Sequence, residues 1–184
     1  MKISMKVTTQ ALPLSQIFRI SRGAKTAAHV VVVVVTDGKN LGWGEAVPYA
    51  RYAETLDSVC AQLSHIQSEI CHMTLPPKLS SLLPAGAARN ALDCALWDLY
   101  AKQQQRSVEE LLDLPTVVGC QTAQTISIDN IANMQTEASK LKHNKLLKVK
   151  LDHLDVVPRM RAIHRVCPDS QFIVDPNEGW DMAL

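Results

Sequence analysis

The chain has 184 residues, of which 47% are hydrophobic and 4% aromatic, and its formal net charge is +1. This length allows one ordinary core, or a small domain plus part of a larger one. Charged residues of both signs are mixed along the chain, which argues against nucleic acid or an anionic membrane as a partner.

Alternating and β-branched residues in the first fifty positions predict an antiparallel meander. Apolar and polar residues alternate over 3–7, and residues 30–35 are all valine. Such a β-branched run favours a strand buried on both faces. Asp37-Gly38 is a turn signal, after which residues 41–47 resume an extended pattern.

Three helical segments are predicted next. Residues 54–73 carry apolar side chains at helical spacing. A second helix is expected to start near Pro84, since proline suits a first turn, and its small apolar residues favour close packing. A short helix over 107–112 begins with Ser107 and Glu110 at the spacing of a capping box.

The pattern changes after about residue 115. Strands are predicted at 120–128, 145–151 and 171–175, with helices at 130–141 and 156–166. Strands and helices that alternate with short links imply parallel strands and crossover helices. We therefore expect an α+β domain over residues 1–115 and the first three strands of a β/α unit over 116–184. This unit is either an isolated three-stranded βαβαβ piece or an incomplete barrel domain, because a full eightfold barrel needs about 250 residues.

The cysteines and the N-terminal segment favour a reducing, cytoplasmic setting. Five cysteines without C-x-x-C spacing argue against a disulfide framework or a structural zinc site, and we expect most of them to be reduced core residues. Residues 1–18 contain no long apolar segment, so we predict no signal peptide. The longest wholly apolar run, residues 30–35, is far too short to span a bilayer.

Lys148 and Lys150 lie two residues apart and therefore share one face of their predicted strand. Two interpretations fit this spacing: a half-exposed strand with a solvated lysine face, or two ammonium groups in an interior site. Strands of parallel sheets are normally covered on both faces, and buried charges must be paired or functional. In the second interpretation these lysines are candidates for proton transfer.

Three further residues are candidates for chemistry. Asp175 ends its predicted strand, where catalytic groups of β/α barrels lie, although an aspartate before Pro176 also suits a turn or a cap. Arg22 lies in a loop between the first two strands, where its guanidinium could clamp a carboxylate or simply remain at the surface. Thr125 lies in the first strand of the β/α unit, either as a packing residue or as a polar contact.

Longer motifs carry a resemblance to a known family. The carriers are Ile20-Ser21-Arg22-Gly23, Gly42-Trp43-Gly44-Glu45-Ala46, residues 83–99, Thr122-Ala123-Gln124-Thr125, residues 145–152 and Val174-Asp175-Pro176-Asn177-Glu178. Through them the chain resembles the N-terminal part of enolase-superfamily proteins of the muconate-lactonising subgroup. Within that subgroup it is most similar to the L-Ala-D/L-Glu dipeptide epimerases.

The resemblance implies a fold, a reaction and a set of roles. The fold is an α+β capping domain followed by a modified β/α barrel, in which a proton α to a carboxylate is removed and the enediolate is stabilised on Mg²⁺. Lys150 would be the acid/base on one face of the substrate, and Lys148 would support it electrostatically. Asp175 would be the first of three metal carboxylates, and Arg22 and Thr125 take positions at which family members contact the dipeptide.

The other parts of the family's site lie on later strands of the barrel. These parts are two metal carboxylates, an opposing lysine and an acidic pair that holds the substrate ammonium. We therefore expect a truncated chain that is inactive alone, with a complementing C-terminal half or a second copy of the chain as its partner. A cycloisomerase or o-succinylbenzoate synthase fragment is an alternative, and so is a non-catalytic remnant with exposed strand edges.

Overall fold

The computed structural model describes residues 2–72, 78–116 and 118–181. The chain forms two compact units, the first made of Met1–Leu12 and Ala27–Thr116 and the second of Pro13–Thr26 and Val117–Leu184. The domain boundary near residue 115 stays a prediction, because a grouping by contacts does not test independent folding.

An antiparallel meander opens the chain, as predicted. It consists of β1 (Ser4–Ile20), β2 (Gly23–Thr36) and β3 (Leu41–Ala46), in that spatial order. The hairpin of β1 and β2 extends far beyond the predicted segments 3–7 and 30–35. Its distal residues are mostly exposed and carry no regular hydrophobic pattern, so the sequence gives no signal for this extension.

The helices of the first unit start and end differently from the prediction. They are α1 (Leu56–His65), α2 (Gln67–Ile70), α3 (Ala87–Gln104) and α4 (Val108–Leu111). The predicted helix 54–73 is split at Ile66, where φ is −97° and ψ is 8°, and its last residue lies outside the described residues. The start near Pro84 is wrong: α3 begins at Ala87, whose N–H donates to the Glu54 carboxylate at 2.6 Å.

Two glycines of β3 bring the strand directly against α3. A Cβ built on Gly44 would lie 1.9 Å from the carbonyl oxygen of Ala91, and one on Gly42 would lie 2.1 Å from the carbonyl oxygen of Ala95. Both alanines are fully buried. The backbones of strand and helix are therefore in contact, and only residues without a side chain fit at these two positions of the strand.

The second unit contains a parallel three-stranded sheet, which confirms the predicted β/α alternation. Its elements are β4 (Gln124–Ile126), α5 (Ile131–Lys140), β5 (Leu146–Lys150), α6 (Val156–Val166) and β6 (Gln171–Asp175). β4 is shorter than the predicted strand 120–128. The Ile128 N–H donates to the carbonyl of Arg19, so pairing with β5 ends before this residue.

The core of the second unit lies on one face of β5. Leu147, Val149 and Leu151 are fully buried against residues of α5 and α6. Because side chains alternate along a strand, this packing places Lys148 and Lys150 together on the other face. The predicted sharing of one face by the two lysines is confirmed.

The cysteines are free, but the expectation that most of them are core residues is wrong. Cys167 is buried and donates to the carbonyl of Ala138 at 3.1 Å, whereas Cys94 and Cys120 are exposed. Cys94 lies on α3, whose buried face is formed by alanines and leucines, so its thiol falls outside that stripe. In the described part of the chain, no helix is both long and apolar enough to cross a membrane.

Candidate acid/base site

Lys148, Lys150 and Asp175 converge on one face of the parallel sheet. The strand register places Lys150 beside Asp175. Oδ2 of Asp175 lies 2.6 Å from Nζ of Lys150 and 2.8 Å from Nζ of Lys148. Lys150 is only 6% exposed, so a solvated lysine face does not describe it. Both cations instead face a common carboxylate.

The two ammonium groups keep Asp175 ionised. The hydrogen bond from Lys148, then that from Lys150, lowers the pKa of Asp175 well below its ordinary value and outweighs the effect of burial. The backbone N–H of Asn177 also donates to Oδ1, at 2.9 Å. Two cations against one anion leave an excess of positive charge, which favours a ligand or an intermediate that carries negative charge.

Thr125 lies next to this cluster on the adjacent strand. Its backbone is paired with Lys148 in the register of β4 and β5. Neighbours in a parallel register point to the same face of the sheet, so the half-buried Thr125 shares the face of the two lysines. The structure thus brings together four of the predicted site residues.

Arg22, the fifth predicted residue, lies at the loop that follows Asp175. It occupies the turn between β1 and β2, and its NH1 lies 3.0 Å from Oε2 of Glu178. The neighbouring Ser21 hydroxyl donates to the carbonyl of Pro176 at 2.9 Å. The sequence suggested Glu178 only as a further oxygen ligand near Asp175. Its contact with Arg22 was not predicted, because it joins residues 156 positions apart.

A buried ion pair fixes the loop that follows Lys150, and sequence reasoning also missed it. Arg159 of α6 is 7% exposed, and its NH1 donates to Oδ1 of Asp152 at 2.5 Å. The carbonyl of Asp152 accepts from the indole N–H of Trp180 at 2.9 Å. Asp152 therefore connects the segments that follow Lys150 and Asp175. The only feature of the sequence that could have indicated this ion pair is an arginine seven residues after an aspartate.

This ion pair makes stability depend on pH. Burial would raise the pKa of Asp152, but hydrogen bonds from the Leu154 N–H and from Arg159 outweigh it and hold that pKa below its ordinary value. A lowered pKa stabilises the fold above the ordinary carboxyl value, and this contribution is lost as pH falls through the folded-state value. The lowered pKa of Asp175 likewise stabilises the fold at neutral pH and less so in acid. We expect the free energy of unfolding, measured with urea, to fall from about pH 5 downward.

The Asp152→Asn variant separates the contribution of Asp152 to this acid sensitivity from that of Asp175. It leaves the charge of Arg159 buried without its carboxylate. Because the Asp152 side chain is 23% exposed, we expect a loss at the low end for a broken buried pair, about 3 kcal/mol at pH 7. The same variant should lose less stability than the wild type between pH 7 and pH 3. An equal loss in both proteins over that range would show that Asp152 does not contribute to the acid sensitivity.

The described residues do not by themselves fit a Mg²⁺ ion. Within residues 2–72, 78–116 and 118–181, no three His, Cys, Asp or Glu side chains are grouped so that they could hold a metal. Mg²⁺ requires near-octahedral oxygen ligation. Asp175 offers one carboxylate, which two ammonium groups and a backbone N–H already engage.

Two curated relatives match the chain at 44% identity. One is the L-Ala-D/L-Glu epimerase of Escherichia coli K12, matched over 179 residues, which are 96% of this chain and 56% of that protein. The other is the N-acetyl-D-glutamate racemase of Pseudoalteromonas sp, matched over 156 residues, which are 82% of this chain and 48% of the racemase. The chain spans about half the length of the curated relatives it matches.

Solved structures agree with these relatives. An enolase family member from Agrobacterium tumefaciens with homology to dipeptide epimerases, with bound sodium and L-Ala-L-Glu, superposes with a TM-score of 0.89 at 35% identity. The match covers 98% of this chain and 56% of that one. The dipeptide epimerase of Methylococcus capsulatus, complexed with Mg and L-Arg-D-Lys, gives 0.87 at 31% identity, with 98% and 55% covered.

A family model provides the most direct assignment. The N-terminal domain of mandelate racemase / muconate lactonizing enzyme matches residues 2–113, which is more than half of the 184-residue chain. This match agrees with the capping-domain resemblance inferred from the motifs. The chain belongs to the mandelate racemase / muconate lactonizing enzyme family of the enolase superfamily.

Proposed function

We propose that this chain supplies one side of the active site of an epimerase that moves the α-proton of an acylated amino acid. The observation that carries this proposal is the convergence of Lys148 and Lys150 on Asp175 at the carboxyl end of parallel strands. Catalytic groups of β/α barrels lie at that end.

The three residues take different roles in the proposed reaction. Lys150 is buried and held at a fixed position by Asp175, so its Nζ serves one face of the substrate. As a neutral amine it accepts the α-proton and becomes an ammonium, and as an ammonium it returns the proton to that face. Lys148, whose side chain is 36% exposed, contributes positive charge that stabilises the negative charge developing on the substrate carboxylate. Epimerisation also needs an acid on the opposite face, which would come from later strands of the barrel.

Mg²⁺ is part of the proposal for the complete site. The Methylococcus capsulatus dipeptide epimerase is complexed with Mg. In this chain Asp175 would offer one oxygen ligand, and the remaining ligands would come from the part of the barrel beyond the matched half. When bound, the ion would neutralise charge on the substrate carboxylate.

The proposed substrate class is a glutamate acylated on its nitrogen. The two relatives at 44% identity are named for L-Ala-D/L-Glu and for N-acetyl-D-glutamate, and both compounds have that chemistry. Arg22 and Thr125 are the proposed substrate contacts. An epimerase and a racemase both perform 1,1-proton transfer, which favours this reaction over the cycloisomerase and o-succinylbenzoate synthase alternatives.

A fusion protein tests the proposal. It joins residues 1–181 of this chain to the part of the Escherichia coli epimerase beyond the matched region. We expect the fusion with Mg²⁺ to epimerise L-Ala-L-Glu or racemise N-acetyl-D-glutamate, and we expect the 184-residue chain alone to do neither. Chiral chromatography of the products measures both activities.

Two results would count against the proposal. Turnover by the 184-residue chain alone, at the correct intact mass and free of any full-length homologue, would show that no opposing group from later strands is needed. A folded fusion that binds Mg²⁺ but converts neither compound would show that this chain does not provide the acid/base side.

A further inference from the structure

An acidic side chain of the chain itself engages the guanidinium of Arg22. Oε2 of Glu178 lies 3.0 Å from NH1 of Arg22, and the two side chains are 64% and 41% exposed. We infer that Glu178 occupies the place of a substrate carboxylate at NH1 of Arg22 and competes there with an anionic ligand. Glu178 thereby sets the affinity and selectivity of the site for anionic ligands. This inference rests on the proposed function, in which Arg22 contacts the substrate.

Contacts on both sides hold Arg22 and Glu178 within reach of each other. The Ser21 hydroxyl donates to the carbonyl of Pro176 at 2.9 Å, and the N–H of Gly179 donates to the same carbonyl at 3.0 Å. A Cβ on Gly179 would lie 3.1 Å from the Cβ of Ser21. The turn that carries Arg22 and the loop that carries Glu178 are thus in direct contact.

The backbone of the loop aims the Glu178 side chain. Asn177 and Glu178 have φ values of +50° and +64°, in the left-handed region that residues other than glycine seldom occupy. Two successive residues keep this conformation only where surrounding contacts hold it. The backbone of this loop therefore holds the Cα of Glu178 beside the turn that carries Arg22.

The pair is well suited to exchange with a ligand. Both side chains reach solvent, so a carboxylate can approach Arg22 and replace Glu178 with the same geometry. Exposed ion pairs are weak, so the competition reduces the affinity for an anion by about two- to fivefold without preventing binding. A ligand without a carboxylate does not compete for Arg22, and Glu178 should not change its affinity.

Nuclear magnetic resonance titration of the ¹⁵N-arginine-labelled 184-residue chain tests the inference. The Nε–H signal of Arg22 reports binding of three probes: acetate, L-Ala-L-Glu and the C-terminal amide of L-Ala-L-Gln, which has no carboxylate. In Glu178→Gln we expect the Kd for acetate and for L-Ala-L-Glu to fall by about two- to fivefold. The Kd for the amide should stay the same.

Matched variants separate competition from a change in net charge. Asp169→Asn removes the same charge from an exposed residue in the turn before β6, and it should change none of the three affinities. Adding Arg22→Gln to Glu178→Gln should remove the gain. Because this variant lacks the Arg22 signal, the ¹⁵N backbone amide of Arg19 in the same hairpin reports its binding. Unfolding temperatures of all the variants verify that they are folded.

The outcomes bear on two claims: that Glu178 competes with anions at Arg22, and that the dipeptide binds at Arg22. Tighter binding of both acetate and L-Ala-L-Glu supports the competition and the proposed function together. Tighter binding of acetate alone supports the competition and contradicts a dipeptide site at Arg22. If acetate does not bind more tightly in Glu178→Gln, or if Asp169→Asn shows the same gain, the inference is overturned.

Discussion

The Gly44→Ala substitution should strongly destabilise the first compact unit. Its methyl group would lie 1.9 Å from the carbonyl oxygen of Ala91 and 2.8 Å from the backbone nitrogen of Ala95. Backbone atoms of a helix cannot rotate away as a flexible side chain can, so β3 and α3 have to separate. We expect a loss of about 3–5 kcal/mol in urea unfolding, a large part of the stability of an ordinary domain.

Gly38→Ala is the matched control for this substitution. A Cβ on Gly38 meets no atom within 4 Å, and its φ is +92°. The cost there comes from backbone conformation alone and should be about 1–2 kcal/mol. If Gly44→Ala costs no more than Gly38→Ala, the close contact of β3 with α3 is wrong.

Lys150→Ala should remove the epimerase activity of the fusion protein. General acid–base groups contribute about 10²–10⁴-fold to a rate. We expect kcat for L-Ala-L-Glu to fall by about 10³-fold. Chiral chromatography at saturating substrate measures this change.

Lys148→Ala is the matched comparison, because each substitution removes one of the two cations that face Oδ2 of Asp175. If Lys148 acts only through its charge, its removal should cost less, about 10²-fold. Asp169→Asn should have no effect. Equal losses in Lys148→Ala and Lys150→Ala would contradict the assignment of the acid/base to Lys150.

Local patterns were sufficient to predict the sheet that carries the lysines. Leu147, Val149 and Leu151 alternate with Lys148 and Lys150, and a period of two determines which side chains share a face. The short links between strands and helices indicated parallel strands, and the strand end at Asp175 followed from the end of its apolar run. Each of these inferences depends on residues that are close in sequence.

Contacts between distant parts of the chain could not be predicted from local sequence patterns. Arg22 and Glu178 are 156 positions apart, and the hairpin that carries Arg22 has exposed residues without a regular hydrophobic pattern. Arg159 lies on an amphipathic helix, where a charged residue predicts a solvent-facing position. Arg159 is buried because it pairs with Asp152, and only the tertiary structure shows this pair.

The most direct test of the central claim is solvent exchange of the α-proton in the Lys150→Ala fusion. The claim is that Lys150 serves one face of the substrate and that a group beyond the matched half serves the other. Incubation of L-Ala-L-Glu and L-Ala-D-Glu separately in D₂O, followed by mass spectrometry, reports exchange on each face. The account predicts that the variant incorporates deuterium into one epimer and not into the other. Exchange of both epimers at the rate of the unsubstituted fusion would contradict it.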